Sequence, residues 1–197
     1  MRTTKAVVLE SSFPHSEEWM PSSNDVESYA ASWVFPLLQS LCAPGVSIRP
    51  VPDGIDMQHR FGDAWIANHQ TYKAINVELK SEQRHTGNLF VEVFGNLRAG
   101  VPGWLYHYAD TTRLAYAFND CHRLYVCEMG NLRRWAHGES QQAGCLYRLE
   151  DFPARTQGRY EQHNVPLGRL VPVEVFLAEV DGAKTYVWNP ADSHCMA

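Results

Sequence analysis

Lysine is scarce in this chain. Its 197 residues include four lysines, at 5, 73, 80 and 184, against thirteen arginines and 22 acids, for a formal net charge of −5. That balance excludes a protein that coats nucleic acid through a broadly basic surface, while leaving room for a local basic groove. Long apolar runs are also missing, and nothing approaches the ~20 residues a membrane helix needs. The apolar piece "AVVL" near the start is too short for the central region of a secretory signal. The expectation is therefore a cytoplasmic protein with no membrane contact. The five cysteines (42, 121, 127, 145, 195) are odd in number and contain no C-x-x-C pair. They read as reduced thiols packing as small apolar groups. Cys121, His122, Cys127 and His137 lie near one another but match no common zinc spacing, so no zinc centre is expected. The sequence has no internal repeat or low-complexity segment. The nine histidines form no H-E-x-x-H, and there is no Gly-rich phosphate loop or G-x-S-x-G elbow. Metalloprotease, nucleotide-triphosphatase and serine-hydrolase readings thus find no support.

What is present suffices for a core: 45% of residues are hydrophobic and 12% aromatic. The length suits a single domain over 1–197. Within it we expect an irregular lead-in over 1–22, a core over 24–128 and a C-terminal elaboration over 129–197. "SSNDVESYAASWVFPLLQSL" predicts a helix with Val26, Ala30, Trp33, Val34, Leu37 and Leu41 as its apolar stripe and Asp25 and Glu27 in its first turn. Pro36 predicts a kink or an early end. "APGVSIRPVPDGIDMQ" reads as a loop. "FGDAWIANH", "KAINVELKSE" and "NLFVEVFGN" read as three strands in an antiparallel meander. "TRLAYAFN" and "HRLYVCEM" follow as strands, the first also compatible with a helix, and "GNLRRWAHGE" as a short helix. The last third, with "LVPVEVFLAEV" and "KTYVWN", is mixed. Such an order gives an α/β or α+β fold class.

The chemistry concentrates in "INVELKSE". Ile75, Val77 and Leu79 alternate with Asn76, Glu78 and Lys80, so an acid and an ammonium share one strand face. A solvated face would explain this equally well. Asp63, on the preceding strand, lies where a hairpin could bring it beside Glu78 and Lys80. Two carboxylates at close range repel unless a positive charge lies between them. A hard divalent cation such as Mg²⁺ binds through one or two carboxylates plus water. Lys80 would then orient a water or offset charge on a phosphate. The spacing alone is weak evidence, since chance supplies roughly 0.4 acid-x-Lys matches at this composition.

"GDAWIANHQTYKAINVELKSE" resembles the core of the PD-(D/E)XK nuclease superfamily, with Asp63, Glu78 and Lys80 as the matching residues. The context is similar to a subgroup found in phages and mobile elements: "TGN" at Thr86, Gly87 and Asn88, a following strand with Glu92, then "GWLYHYAD" and later "LGRLVPVEVF". The resemblance touches residues from about 55 to 180. Gly62 stands where the motif has proline, and no second domain for reading a DNA sequence is visible. The resemblance implies a restriction-endonuclease-like core, with a mixed central sheet flanked by helices. It implies Mg²⁺ (or Mn²⁺) held by Asp63, Glu78 and the backbone carbonyl of Leu79, with Lys80 positioning the attacking water. It implies a nucleic acid substrate, DNA before RNA, and leaves a homodimer open. An acid on the first helix often completes such a site. Glu27 is the candidate, or else an ordinary helix-dipole acid. Glu92 either points into the site or is an exposed strand acid. Arg84, His85 and Asn88 either contact phosphates or form a solvated loop. Asp110 reads as a cap for "TTRLAY", and Trp135, beside Arg133 and Arg134, as core. The competing function is a non-catalytic binding or inhibitory protein that has kept the nuclease fold and acts on a host protein or nucleic acid.

Overall fold

The apolar stripe of the first helix decides how the layers stack. The computed structural model describes residues 23–52, 55–140, 144–156 and 165–189, so the expected lead-in over 1–22 and Cys195 lie outside the described residues. Helix α1 (Ser23–Ser40) leads into strand β1 (Val46–Pro50), helix α2 (Ile55–Phe61), β2 (Ala64–Asn68), β3 (Lys73–Glu82), β4 (Asn88–Asn96) and β5 (Val101–Pro102). A one-turn helix α3 (Trp104–His107), β6 (Arg113–Phe118), β7 (Arg123–Glu128) and α4 (Met129–Ala136) follow. The chain closes with a 3-10 turn (Leu149–Asp151), β8 (Ala154–Thr156), β9 (Leu167–Pro172), α5 (Val173–Glu179) and β10 (Lys184–Val187).

Two sheets result. The larger has the order β1-β2-β3-β6-β7-β10, and its strands run antiparallel except for the parallel pair β3 and β6. The smaller, β5-β4-β9-β8, is antiparallel throughout. The protein is thus α+β, with a mixed sheet flanked by helices. α1 covers one face of that sheet, packing Ala30, Trp33, Val34 and Leu37 on Val77, Leu79, Ala115 and Ala117. The opposite face presents Leu114, Tyr116, Phe118 and Tyr125 to the second sheet and to α3, α4 and α5. Alternation along β6 assigns small residues to the helix side and bulky ones to the second core, a division that follows from the strand period of two.

Several expectations need correction. α1 continues past Pro36. The proline lies on the exposed side, where solvent can serve the carbonyl that lost its partner. The segment read as a loop contains β1 and α2. Its alternating Val46 and Ile48 were outweighed by three prolines, but β1 is an edge strand, where proline costs no ladder bond. The expected meander of three strands is broken: β4 leaves β2 and β3 and founds the second sheet. The C-terminal elaboration over 129–197 extends both sheets, as β10 completes the large one and β9 pairs with β4. Cys127 is buried and inert in packing, as expected of a reduced core thiol.

A buried carboxylate pins the C-terminal third together. Glu179 is 6% exposed. It accepts hydrogen bonds from Trp135 Nε1 at 3.0 Å, Leu146 N at 3.0 Å and Tyr147 N at 3.1 Å. Trp135 is therefore core, with its one polar atom satisfied. Glu179→Ala would leave three donors without an acceptor, and urea unfolding followed by tryptophan fluorescence should show a loss of about 3 kcal/mol or more. Glu179→Gln keeps an oxygen acceptor and should lose about half as much.

Candidate active site

The site begins where α2 ends. Gly62 stops that helix with φ +76°, a conformation in which a side chain is strained. A Cβ there would also lie 2.4 Å from the Val77 carbonyl oxygen. The chain can therefore press against β3 only as glycine, which accounts for Gly62 where the resembling motif has proline. Asp63 follows, immediately before β2, with its N–H on Val77 O at 2.8 Å and its carbonyl accepting from Val51 N at 2.9 Å. Beyond this point β2 offers β3 no further backbone partner. The Asp63 carboxylate takes over, its Oδ2 accepting the Leu79 N–H at 2.7 Å. The N–H and C=O of a strand residue face the same edge, so the Leu79 carbonyl is directed to Asp63's side as well.

On the other face of β3, Glu78 is 1% exposed. The solvated-face reading therefore fails for it. Its Oε1 lies 2.6 Å from the Lys80 ammonium, while Oε2 is buried without a hydrogen-bond partner. Lys80 also lies 3.8 Å from Glu27 on α1, so it bridges the two layers. Glu27 belongs to the second turn of α1, which begins at Ser23, and the helix-dipole explanation weakens there. Thus Lys80 joins Glu78 to Glu27, and Asp63 lies within electrostatic reach of all three, four residues the sequence nominated.

Their electrostatics follow from burial. Desolvation pushes the Glu78 carboxyl up to about 7; Lys80 opposes the shift and Asp63 adds to it. Asp63 is raised by burial against the pull of Lys80 and the Leu79 N–H, and Glu27 is raised by burial against Lys80. Burial works against the Lys80 charge, but Glu78, then Glu27 and Asp63, outweigh it and hold the ammonium well above its ordinary value. Tyr108 is held from ionising by burial and by the Glu78 carboxylate it faces. Its placement depends on Arg133, which donates to Leu105 O at 2.6 Å, to Tyr108 O and to the Asp110 carboxylate. Asp110 therefore braces α3 against α4 instead of capping β6.

Glu78 and Lys80 open into a cleft of about 540 Å³ between the two sheets, lined also by Glu82, Glu92, Tyr108 and Tyr116. Asp63, Glu27 and Leu79 border a separate depression on the α1 side. Glu92 points into the cleft and accepts Trp104 N at 3.2 Å, so it is not simply an exposed strand acid. Glu82 and Tyr108 were not singled out from sequence. Glu82 was visible as the next residue on the Glu78–Lys80 face, whereas nothing local marked Tyr108. Arg84 and Asn88 do not border the cleft: Arg84 is exposed after β3, and Asn88 Nδ2 donates to Thr86 O at 3.2 Å. His85 is anchored by Asp120 and Tyr125.

Among the described residues, no three His, Cys, Asp or Glu side chains form a ready metal cage. Mg²⁺ seldom uses one, binding through one or two carboxylates with waters and substrate phosphates. The donors here are hard oxygens, and the orphaned Glu78 Oε2 is a buried acceptor lacking a cationic or N–H partner. With Glu27, Asp63 and Glu78 ionised, Lys80 leaves two negative charges unbalanced, which a divalent ion would neutralise. The residues fit such an ion. No helix is long and apolar enough to cross a membrane among the described residues. Comparison with protein-family models, curated proteins and solved structures finds no match.

The raised carboxyls have a sign. The folded state binds the Glu78 proton more tightly than the unfolded one, so the associated stability is complete below the ordinary value of 4.5 and is lost as pH rises through about 7. In EDTA, urea unfolding should show stability falling between pH 5 and 8 by roughly 3 kcal/mol from this group. Glu78→Gln should flatten that slope. Gly62→Ala should destabilise the fold by at least about 2 kcal/mol and displace Asp63 from Leu79, read as faster amide exchange at Leu79.

Proposed function

We infer that the chain is a metal-dependent nuclease of the PD-(D/E)XK type, built on a restriction-endonuclease-like core and acting on nucleic acid, DNA in the first place. The observation that carries this reading is the convergence of Asp63, Glu78 and Lys80 at the edge of β3 that β2 leaves open, with Glu27 completing the set. Asp63, Glu78 and the Leu79 carbonyl would hold Mg²⁺ or Mn²⁺, with Glu27 as a further oxygen donor. When bound, such an ion polarises a phosphoryl oxygen and makes water nucleophilic near neutral pH.

The chain's own residues do the rest. The Leu79 N–H fixes the Asp63 carboxylate in one orientation, so its remaining oxygen is presented without reorganisation. Lys80 carries three donors. Its contacts with Glu78 and Glu27 place the ammonium where it can hold the attacking water and offset charge on a non-bridging phosphate oxygen. Burial of Glu78 keeps bulk water from competing for that position.

The 2.6 Å contact between Lys80 and Glu78 also favours a second reading. In a non-catalytic binding or inhibitory protein the ammonium would permanently neutralise the carboxylate through Oε1, and no ion would be needed. Two measurements separate the readings. Labelled DNA and RNA, single- and double-stranded, should be cut in Mg²⁺ or Mn²⁺ but not in EDTA, with Lys80→Ala, Asp63→Ala and Glu78→Ala each slower by roughly 100-fold or more. Mn²⁺ should raise the melting temperature of the wild type and not of Glu78→Gln. An unchanged melt together with no cleavage of any substrate would establish the second reading.

A further inference from the structure

The cleft above Glu78 has an unusual lining for a nuclease. Lys80 is its one Lys or Arg among the described residues, whereas Glu78, Glu82 and Glu92 are all acids. A phosphate can approach at Lys80, but the wall beyond repels a second one. The wall nevertheless offers directed hydrogen-bond acceptors. Glu92 lines the cleft and gives Oε1 to the Trp104 N–H at 3.2 Å, a contact that orients its carboxylate. Glu82 is held in place by the Tyr116 hydroxyl, which is itself fixed by the Phe90 N–H at 3.0 Å. Ionised carboxylates accept hydrogen bonds and cannot donate them. The group that satisfies them must carry N–H or O–H donors, and an amino group offers two from one atom.

Nucleobases carry such donors: the amino groups of cytosine, adenine and guanine. Thymine and uracil place a single N–H between two carbonyl oxygens, which a carboxylate repels. The cleft also supplies an aromatic wall, since Tyr108 is half-buried and the exposed His107 ring stands edge-on to it, 4.9 Å away centroid to centroid at 88°. Stacking on such rings contributes roughly 1–3 kcal/mol per base and is open to any base with a free face. A base inside a duplex has its faces covered by its neighbours and shows its amino group only at a groove edge, which cannot reach acids recessed in a cleft. The floor acid, Glu78, is buried between the two sheets, so a strand must enter the cleft to reach it.

We propose that the cleft receives an unpaired base of the substrate strand, stacked on the Tyr108 ring and held through its amino group by Glu92 and Glu82. The substrate is therefore single-stranded or frayed nucleic acid with amino-bearing bases favoured beside the cut. This rests on the nuclease reading for the identity of the reacting centre. Glu92 here is a wall residue with no part in the metal site, and Glu92→Gln preserves the oxygen that accepts Trp104 N–H while adding a donor that suits thymine.

The test uses the full chain and short homopolymer strands of C, A and T, as DNA and as RNA with U for T, beside matched duplexes. Cleavage by wild type in Mn²⁺ and binding by Lys80→Ala, followed by fluorescence anisotropy, are read in parallel. Unpaired C and A strands should be cut, and bound, about tenfold or more in preference to the duplexes and to T or U strands. Glu92→Gln should narrow the C-over-T ratio several-fold at similar melting temperature. Equal cutting of duplex and single strand, or a C-over-T ratio untouched by Glu92→Gln, would overturn the proposal while leaving the nuclease reading in place. No cutting in any metal, with base-selective binding that depends on Glu92, would remove the nuclease reading and support the base pocket. No cutting and no binding would end both.

Discussion

The hydrogen bond from the Leu79 N–H to the Asp63 carboxylate sets the position of everything else in the site. A buried strand N–H needs an acceptor, and β2, whose pairing with β3 stops at Ala64 opposite Val77, does not reach Leu79. A side chain stands in for the missing backbone acceptor. That substitution does two jobs with one contact. It terminates the ladder without an orphaned donor, and it orients a carboxylate at an edge left open to ligands. Gly62 is the precondition, because any side chain at that position would push α2 and Asp63 away from β3.

Burial of the Glu78 carboxylate works against stability, while its partner Lys80 keeps 31% of its side chain exposed. A buried ion pair rarely gains more from attraction than it loses in desolvation. Here the imbalance is visible, since the carboxyl is displaced toward neutrality even with an ammonium 2.6 Å away. Leucine would fill the Glu78 position between Leu114 and Tyr116 with less cost. The surrounding protein is rigid enough to hold the pair: β3 is hydrogen-bonded to β6 along its second half, and the Arg133 clamp holds Tyr108 over the carboxylate. Burial with an unsatisfied oxygen is an arrangement that packing alone would not select.

Sequence pattern was a good guide wherever period and burial agreed. β3 and β4 span the segments that alternation marked, and Trp135 is core as its helix predicted. The convergence of Asp63, Glu78 and Lys80 was legible because a short turn joins two antiparallel strands, so local distance in sequence became distance in space. The errors came from longer range. Nothing in "NLFVEVFGN" says that it will leave one sheet for another. Its pairing with β9, Asn88 opposite Pro172, is set by packing across the whole chain. The prolines around β1 obscured an edge strand. Tyr108 escaped notice for the same reason as β4, being carried to Glu78 by α3 and fixed by an arginine 25 residues later. Arg84 and Asn88, chosen for proximity in sequence to the motif, lie outside the cleft that Glu78 and Lys80 line.

The parallel pairing of β3 with β6 has a consequence for how the molecule forms. Val77 meets Arg113 across thirty-six residues, and the intervening chain must first fold into β4, β5 and α3. β4 in turn waits for β9. Hairpins such as β2–β3 and β6–β7 close over short loops and can form early, whereas crossovers of this span are slow because loop closure precedes any reward. The burial of Glu78 depends on both sheets, so its carboxylate stays hydrated and ionised through most of the folding reaction. Its desolvation belongs to the last step, the docking of the second sheet. Substitutions that relieve that desolvation should therefore act on the unfolding rate and leave the early hairpins untouched.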